Sequence, residues 1–123
     1  MFRPLAVEFR HESWDKEEVY DFLRENGVTF VIVDEPNLKG LFPYKLVTTT
    51  NMAYFRFHGR NEHWFDPNYD RYDYMYSEEE LESFAKDVRE IYKKVEKVLI
   101  YFNNCHRGQA VENALRMRDL LGI

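Results

Sequence analysis

The chain has 123 residues, the size of one ordinary domain, and its hydrophobic fraction of 45% is large enough for a packed core. The net charge of −5 argues against a general electrostatic attraction to nucleic acid or to an anionic membrane, but it allows a local basic pocket. The single cysteine, Cys105, excludes an internal disulfide, and we see neither a signal peptide nor an apolar run long enough to span a membrane, so we expect one cytoplasmic domain over residues 1–123.

The first part of the chain predicts two strands around one helix. Residues 5–11 alternate apolar and polar side chains, as a strand does. A helix follows, with Asp15 as its expected N-cap and Asn26–Gly27 as its end. The apolar run "VTFVIV" at residues 28–33 is typical of a buried parallel strand. Residues 37–50 are rich in turn-forming residues and predict no long helix.

The second part predicts two strands and two helices. Residues 52–60 alternate as a strand, and residues 61–76 form a long aromatic loop. Ser77 and Glu80 form a capping box at the start of the clearest helix, and "VLIYFN" at residues 98–103 is a strand. The last helix covers residues 108–121 and is expected to bury Ala110, Val111, Ala114, Leu115 and Leu121.

Strands that alternate with helices predict a parallel sheet, and three of these strands carry a polar face. In "YFRFHGR", Phe55 and Phe57 fall on one face, and the opposite face carries polar side chains. The polar positions of the three strands are Glu8, Arg10, Tyr54, Arg56, His58, Arg60, Tyr101 and Asn103. Unpaired charges buried under helices are costly, so a barrel with a polar lumen is favoured. Four strands and three helices predict an α/β fold that is half of a TIM-type (β/α)8 barrel.

Four sequence blocks carry a resemblance to a known family. They are "VEFRHESW", "YFRFHGR", "RYDYMYSEEEL" and "YFNNCHRGQAVENAL", in that order along the chain. The chain resembles the C-terminal half of the YecE-like family, also called domain of unknown function 72. The resemblance implies a TIM-type barrel of about twice this length and no established activity. It also implies that ten residues match family motif positions, namely Glu8, Arg10, His11, Trp14, Asp34, Arg56, His58, Arg60, Asn103 and Asn104.

Active sites of such barrels lie at the C-terminal ends of the strands, where most of these residues are expected. His58 is the candidate for proton transfer, with Glu8, Asp34 and His11 as further catalytic candidates. The candidate ligand-binding residues are Arg10, Arg56, Arg60, Tyr101, Asn103, Asn104, Trp14 and Tyr74. The excess of arginine suggests a phosphate or carboxylate ligand, and a structural ion-pair network is the alternative. A metal site from His11, His58, Glu8 and Asp34 is conceivable, but no spacing motif supports it, so no metal is predicted and the cofactor stays unknown.

Three hypotheses for function remain open. The first is a hydrolase or lyase that acts on a phosphorylated or nucleic-acid-related substrate. The second is a non-catalytic ligand-binding or assembly module, and the third is an inactive fragment that needs its N-terminal half. Half a barrel leaves two sheet edges open, so we expect a homodimer or a separate chain that supplies the other half. The aromatic side chains of residues 61–76 could stack on a base or a sugar, or pack on themselves as a collar.

Overall fold

The computed structural model describes residues 4–123, so the part of the signal-peptide prediction that falls on residues 1–3 lies outside the described residues. Four parallel strands form one sheet in the order β1-β2-β3-β4, with each strand beside the next in the chain. Their bounds are Ala6–Val7 for β1, Thr29–Asp34 for β2, Met52–Phe57 for β3 and Lys97–Phe102 for β4. The predicted order of four parallel strands is confirmed, although the pairing of β1 stops at Val7, well before residue 11.

Three α-helices connect or follow these strands, as predicted. They are α1 over Glu17–Glu25, α2 over Glu78–Tyr92 and α3 over Gln109–Leu121, and a short 3-10 turn covers Glu12–Trp14. The capping box of α2 is confirmed, because the Ser77 hydroxyl accepts from the Glu80 backbone N–H and the Glu80 carboxylate accepts from the Ser77 N–H. Among the described residues, no helix combines the length and the apolar composition that crossing a membrane requires.

The predicted N-cap of α1 is wrong. The helix begins one residue later than expected, with Lys16 as the N-cap and no side-chain cap. The Asp15 carboxylate instead accepts a 2.6 Å hydrogen bond from the Tyr20 hydroxyl and pairs with Lys45 Nζ at 3.2 Å. Because Asp15 makes these two contacts, its side chain does not cap the helix. It instead links Lys45, in the connection after β2, to Tyr20 of α1.

The core lies between the sheet and the helices and is mostly aromatic. The Phe57 ring lies 4.5 Å from the Phe84 ring of α2 and 4.9 Å from Phe102 of β4, measured between centroids. Phe30 packs edge-on against Tyr20 of α1 at 5.2 Å. Phe102 is partly buried, and each of the four fully buried rings contributes about 2–3 kcal/mol of hydrophobic stabilisation. The core therefore fixes the helix-covered face of the sheet and leaves the opposite face for other chemistry.

The connection between β2 and β3 contains no helix, as the turn-rich sequence predicts. It is held by Thr49, whose hydroxyl donates to the Val28 carbonyl at 2.6 Å and accepts from the Phe30 N–H at 2.9 Å. Phe42, from the same connection, is buried against Phe30 and Phe9. This segment takes the place of a helix over β2 and walls the C-terminal end of that strand.

The predicted inward face of α3 is wrong for Val111, Ala114 and Leu115, whereas Leu121 packs against the core as predicted. Val111 and Leu115 are 62% and 46% exposed, whereas Asn113 and Met117 are buried. The helix packs on α2 and β4 through the face that carries Asn113 and Met117, and through Leu120 and Leu121 at its end. Val111 and Leu115 form the exposed face of this terminal helix, which lies beside the open edge of the sheet.

Candidate functional site

Strand register separates the C-terminal ends of the strands into two chemically different faces. Val33, Arg56 and Tyr101 lie in one cross-strand row, and Asp34, Phe57 and Phe102 lie in the next. Neighbouring rows point to opposite sides of a sheet. We call the side of Arg56 the lumen face and the side of Phe57 the helix face. The lumen face carries Glu8, Arg10, Val31, Val33, Glu35, Tyr54, Arg56, His58, Tyr101 and Asn103.

Glu8 is the centre of a charged cluster on the lumen face. Its carboxylate accepts from Arg56 Nη1 at 2.8 Å and from His58 Nε2 at 3.1 Å, and Arg10 Nε lies 3.2 Å away. Two guanidinium groups therefore share one carboxylate. Arg56 Nε is buried and has no acceptor in the part of the chain that the structure describes. The cluster thus has positive charge and hydrogen-bonding capacity left over after its internal pairs are made.

His58 lies beneath this cluster and is completely buried. Its Nδ1 is 3.0 Å from the side-chain amide nitrogen of Asn103, which can only donate. The network therefore assigns the ring proton to Nε2, where it is donated to Glu8. Because no surface of His58 reaches solvent, its role in this arrangement is to orient Glu8.

Electrostatics keeps Glu8 ionised. Burial would raise the pKa of its carboxyl group, but the hydrogen bond from His58 and the charges of Arg56 and Arg10 outweigh that effect. The pKa of Glu8 therefore lies below its ordinary value. A carboxylate that stays charged in a half-buried site is suited to accept hydrogen bonds or a proton from a ligand.

Glu35 also faces this cluster, and the sequence analysis missed it. Its side chain is only 1% exposed, and Arg10 Nη1 lies 3.8 Å from Oε2. Burial raises the pKa of Glu35 to about 7, while the Arg10 cation acts in the opposite direction. The backbone N–H of Phe42 also acts to lower this pKa, as the smallest of the contributions. Its geometry is not that of a normal hydrogen bond, and neither carboxyl oxygen of Glu35 has a hydrogen-bond partner within residues 4–123.

Asp34 and Arg60 belong to a separate network on the helix face. The Asp34 carboxylate receives Nε and Nη2 of Arg60 at 2.8–3.1 Å and the Tyr76 hydroxyl at 2.8 Å. Arg60 Nη1 donates to Glu80 at 3.0 Å, and the same carboxylate accepts from the Tyr74 hydroxyl. Burial raises the pKa of Asp34 in spite of Arg60. The guanidinium of Arg60 is thus fully engaged, so this arginine and Asp34 do not join the lumen cluster.

Three other candidates also lie away from the lumen cluster. His11 is exposed, and its Nδ1 accepts from the Ser13 N–H at the 3-10 turn. Trp14 stacks on Phe9 at 5.0 Å on the helix side of β1. Asn104 is buried and donates to the Tyr74 carbonyl and to Asn113, each at 2.8 Å. The metal site conceivable from the sequence is not formed, and residues 4–123 contain no group of three or more His, Cys, Asp or Glu side chains arranged to hold a metal ion.

The aromatic loop after β3 is packed on itself above His58. Trp64 is buried, receives Arg71 over its ring at 5.2 Å and meets Tyr72 edge-on at 5.6 Å. Tyr72 in turn lies 6.5 Å from the His58 ring. Through Tyr72, this loop lies next to the buried ring of His58.

With this geometry in place, comparison with known proteins gives the family. A family model described as "Protein of unknown function DUF72" matches residues 2–123. The chain belongs to the DUF72 family. UPF0759 protein YunF of Bacillus subtilis (strain 168) is 35% identical over 98% of this chain and 47% of its own length. A DUF72 family protein from Thermotoga maritima MSB8 has a TM-score of 0.95 and 57% identity, over 98% of this chain and 47% of that one. One from Enterococcus faecalis V583 has a TM-score of 0.90 and 33% identity, over 98% and 48%.

This DUF72 chain spans about half the length of the relatives it matches. That proportion agrees with the α/β half-barrel predicted from four strands, and the resemblance stated from the sequence blocks is confirmed. Glu35 was missed because it stands in "DEP", which reads as the turn that ends β2. The register places Val33 on the lumen face, and the alternation of the strand then puts Glu35 on that face, but the uniformly buried sequence of β2 does not show which face that is.

Proposed function

We propose that this chain binds a small anionic ligand, one that bears a phosphate or carboxylate group, at Arg10 and Arg56 on the lumen face. The observation that carries the proposal is that two guanidinium groups share the single ionised carboxylate of Glu8. The solvent-exposed parts of the two side chains, 29% of Arg56 and 57% of Arg10, supply donors for a further oxyanion. Tyr101 and Asn103 lie on the same face and complete the polar surface around that position.

The reaction class that we propose is hydrolysis or elimination on a phosphorylated or nucleic-acid-related substrate. Glu8 is the candidate acid/base group, because it is ionised, partly exposed and adjacent to both arginines. His58 acts through Glu8 as a positioning residue. A non-catalytic ligand-binding module is the second candidate, and the complete burial of His58 favours it because that ring cannot reach a substrate.

Anion binding is tested by calorimetric titration of the purified chain with inorganic phosphate, at constant ionic strength and pH. We expect R56Q and R10Q each to weaken binding roughly tenfold, the cost of a lost charged hydrogen bond. The matched control is R118Q on α3, which removes the same charge from an exposed position and should bind as the wild type does. Equal affinity in R56Q, R10Q and wild type would contradict the proposal, and circular dichroism would verify that each variant is folded.

The two candidate functions are separated by E8Q. A hydrolase or lyase should lose turnover of phosphomonoesters or single-stranded oligonucleotides in E8Q while phosphate binding persists. A binding module would show no turnover in the wild type either. The fragment hypothesis would be supported if the wild type became active only after a second chain was added, one that corresponds to the part of the relatives that this chain does not cover.

We further propose that the chain is a single domain, the C-terminal half of a barrel, and that a second copy covers its open edges. Exposed apolar side chains lie towards both edges. Trp14 and Phe22 lie on the side of β1, and the other side carries Tyr92 of α2 with Val111 and Leu115 of α3. A separate chain that supplies the N-terminal half is the alternative partner. The proposed location is the cytoplasm, which rests on the lone Cys105.

A further inference from the structure

Glu35 and Glu8 place two carboxyl groups around one guanidinium. Arg10 Nε lies 3.2 Å from Glu8 Oε2, and Arg10 Nη1 lies 3.8 Å from Glu35 Oε2. Both carboxyl groups are largely removed from water, with side-chain exposures of 11% and 1%. One cation cannot fully stabilise two carboxylates in such surroundings, so one of the two groups is favoured in its protonated form.

The contacts decide which carboxyl group holds the proton. Glu8 has two further donors, Arg56 and His58, that favour its ionised form. For Glu35 the one charged partner within residues 4–123 is Arg10, at a distance longer than a hydrogen bond, and the Phe42 N–H is its weaker support; its oxygens have no hydrogen-bond partner among the described residues. The two pKa values move apart in the same sense, lowered for Glu8 and raised to about 7 for Glu35 by burial.

We propose that Glu35 takes up a proton from solvent when an oxyanion binds to Arg10 and Arg56. The bound anion adds negative charge beside Arg10 and competes with Glu35 for this cation, which supports the ionised form of Glu35. Protonation of Glu35 removes that conflict without disturbing Glu8. The inference rests on the proposed anion site and deepens it, since it predicts that a phosphate- or sulfate-like ligand binds together with a proton.

The surroundings of Glu35 contain few other groups that could perform this role. The charged groups that face it are Arg10 and Glu8 from the segment after β1 and Asp34 at the end of β2. Asp34 is occupied by Arg60 and Tyr76 on the helix face. A cavity of about 380 Å³ adjoins Glu35 and is also lined by Asp34, Arg60 and residues 36–38 and 41–44, so solvent lies within a short distance of the carboxyl group. The guanidinium of Arg60 in this lining is already paired with Asp34 and Glu80.

The test is calorimetric titration with inorganic sulfate in two buffers of different ionisation enthalpy, at constant ionic strength. Sulfate is the probe because it exchanges no proton near neutral pH, whereas phosphate does. We expect the wild type to take up a fraction of a proton per sulfate near pH 7. Its affinity should fall several-fold between about pH 6 and about pH 8. In E35Q, proton uptake should be lost and this pH dependence reduced.

E18Q is the matched control, because it changes an exposed glutamate of α1 and should leave proton uptake unchanged. Sulfate binding with equal proton uptake in E35Q and wild type would overturn the inference alone. Failure of the wild type to bind sulfate would overturn the anion site and the inference together. Should E35Q not fold, carboxyl 13C NMR of the wild type decides, since sulfate should raise the pKa of a glutamate that titrates near neutral pH.

Discussion

Arg10 and Arg60 show how the same side chain serves opposite purposes after the ends of β1 and β3, the two strands on either side of β2. Arg60 directs its nitrogens to Asp34 and Glu80 and lies over the Phe84 ring at 5.1 Å, so it is part of the fold. Arg10 is 57% exposed and holds Glu8 and Glu35 loosely. The number of arginines in the sequence therefore overestimates how many of them are available to bind a ligand. Each of the two arginines has two carboxylates beside it, so what makes Arg10 available to a ligand is that fewer of its N–H groups are already donated at hydrogen-bond distance.

Glu35 makes stability depend on pH in an unusual direction for a carboxyl group. Its pKa rises from 4.5 to about 7 on folding, so the folded chain binds the proton more tightly than the unfolded chain does. This contribution to stability is fully present below about pH 4.5 and is lost as the pH rises through 7. Relative to E35Q, the wild type should lose up to about 3 kcal/mol over that window.

Urea unfolding of both proteins at about pH 4.5 and about pH 8 measures this difference. Glu8, whose pKa is lowered, contributes stability with the opposite sign in both proteins and cancels in the comparison. A free-energy difference between wild type and E35Q that stays constant with pH would contradict the prediction.

At the scale of the elements, α2 depends on its capping box. Ser77 and Glu80 satisfy each other's backbone N–H groups, and Glu80 also holds Arg60 and Tyr74. S77A should cost about 1 kcal/mol in the free energy of unfolding, because one backbone donor loses its acceptor. S83A changes an exposed serine inside the same helix and should be neutral or slightly stabilising. Thermal unfolding compares the two variants, and equal losses would contradict a specific role for the cap.

Most elements could be predicted from the sequence because their signals are local. Each signal is carried by residues only a few positions apart in the sequence. Examples are the capping box of α2, the apolar run of β2 and the alternation of β3. The faces of β2 could not be predicted, because all six of its residues are buried and the alternation is hidden. Asp34 was therefore grouped with Glu8 and His58, although the sheet separates them. His11 and Trp14 follow a strand that pairs only to Val7, so alternation no longer places them.

At the scale of the whole molecule, the two open edges predict self-association. A two-fold axis would set β4 of one copy beside β1 of the other and complete eight strands. Light scattering on a sizing column should then give about 30 kDa, twice the 15.0 kDa of the chain. V111K should shift the population toward monomer, because it places a charge on the exposed face of α3.

S83K on α2 is the control, since it adds the same charge on a helix between the two edges and should leave the mass unchanged. A well-behaved wild-type monomer would contradict self-completion. It would direct attention to a separate chain that carries the other half of the barrel.

The linear order of the strands has a consequence for how this chain acquires its structure. Every strand pairs with the one that precedes it in sequence, and α2 and α3 pack against each other and against β4. As the chain leaves the ribosome, each new strand meets a partner that has already emerged, so the sheet can grow vectorially during synthesis. A closed barrel must wait for its last strand to meet its first. This half can assemble before any such meeting, which leaves edge closure as a separate and later event.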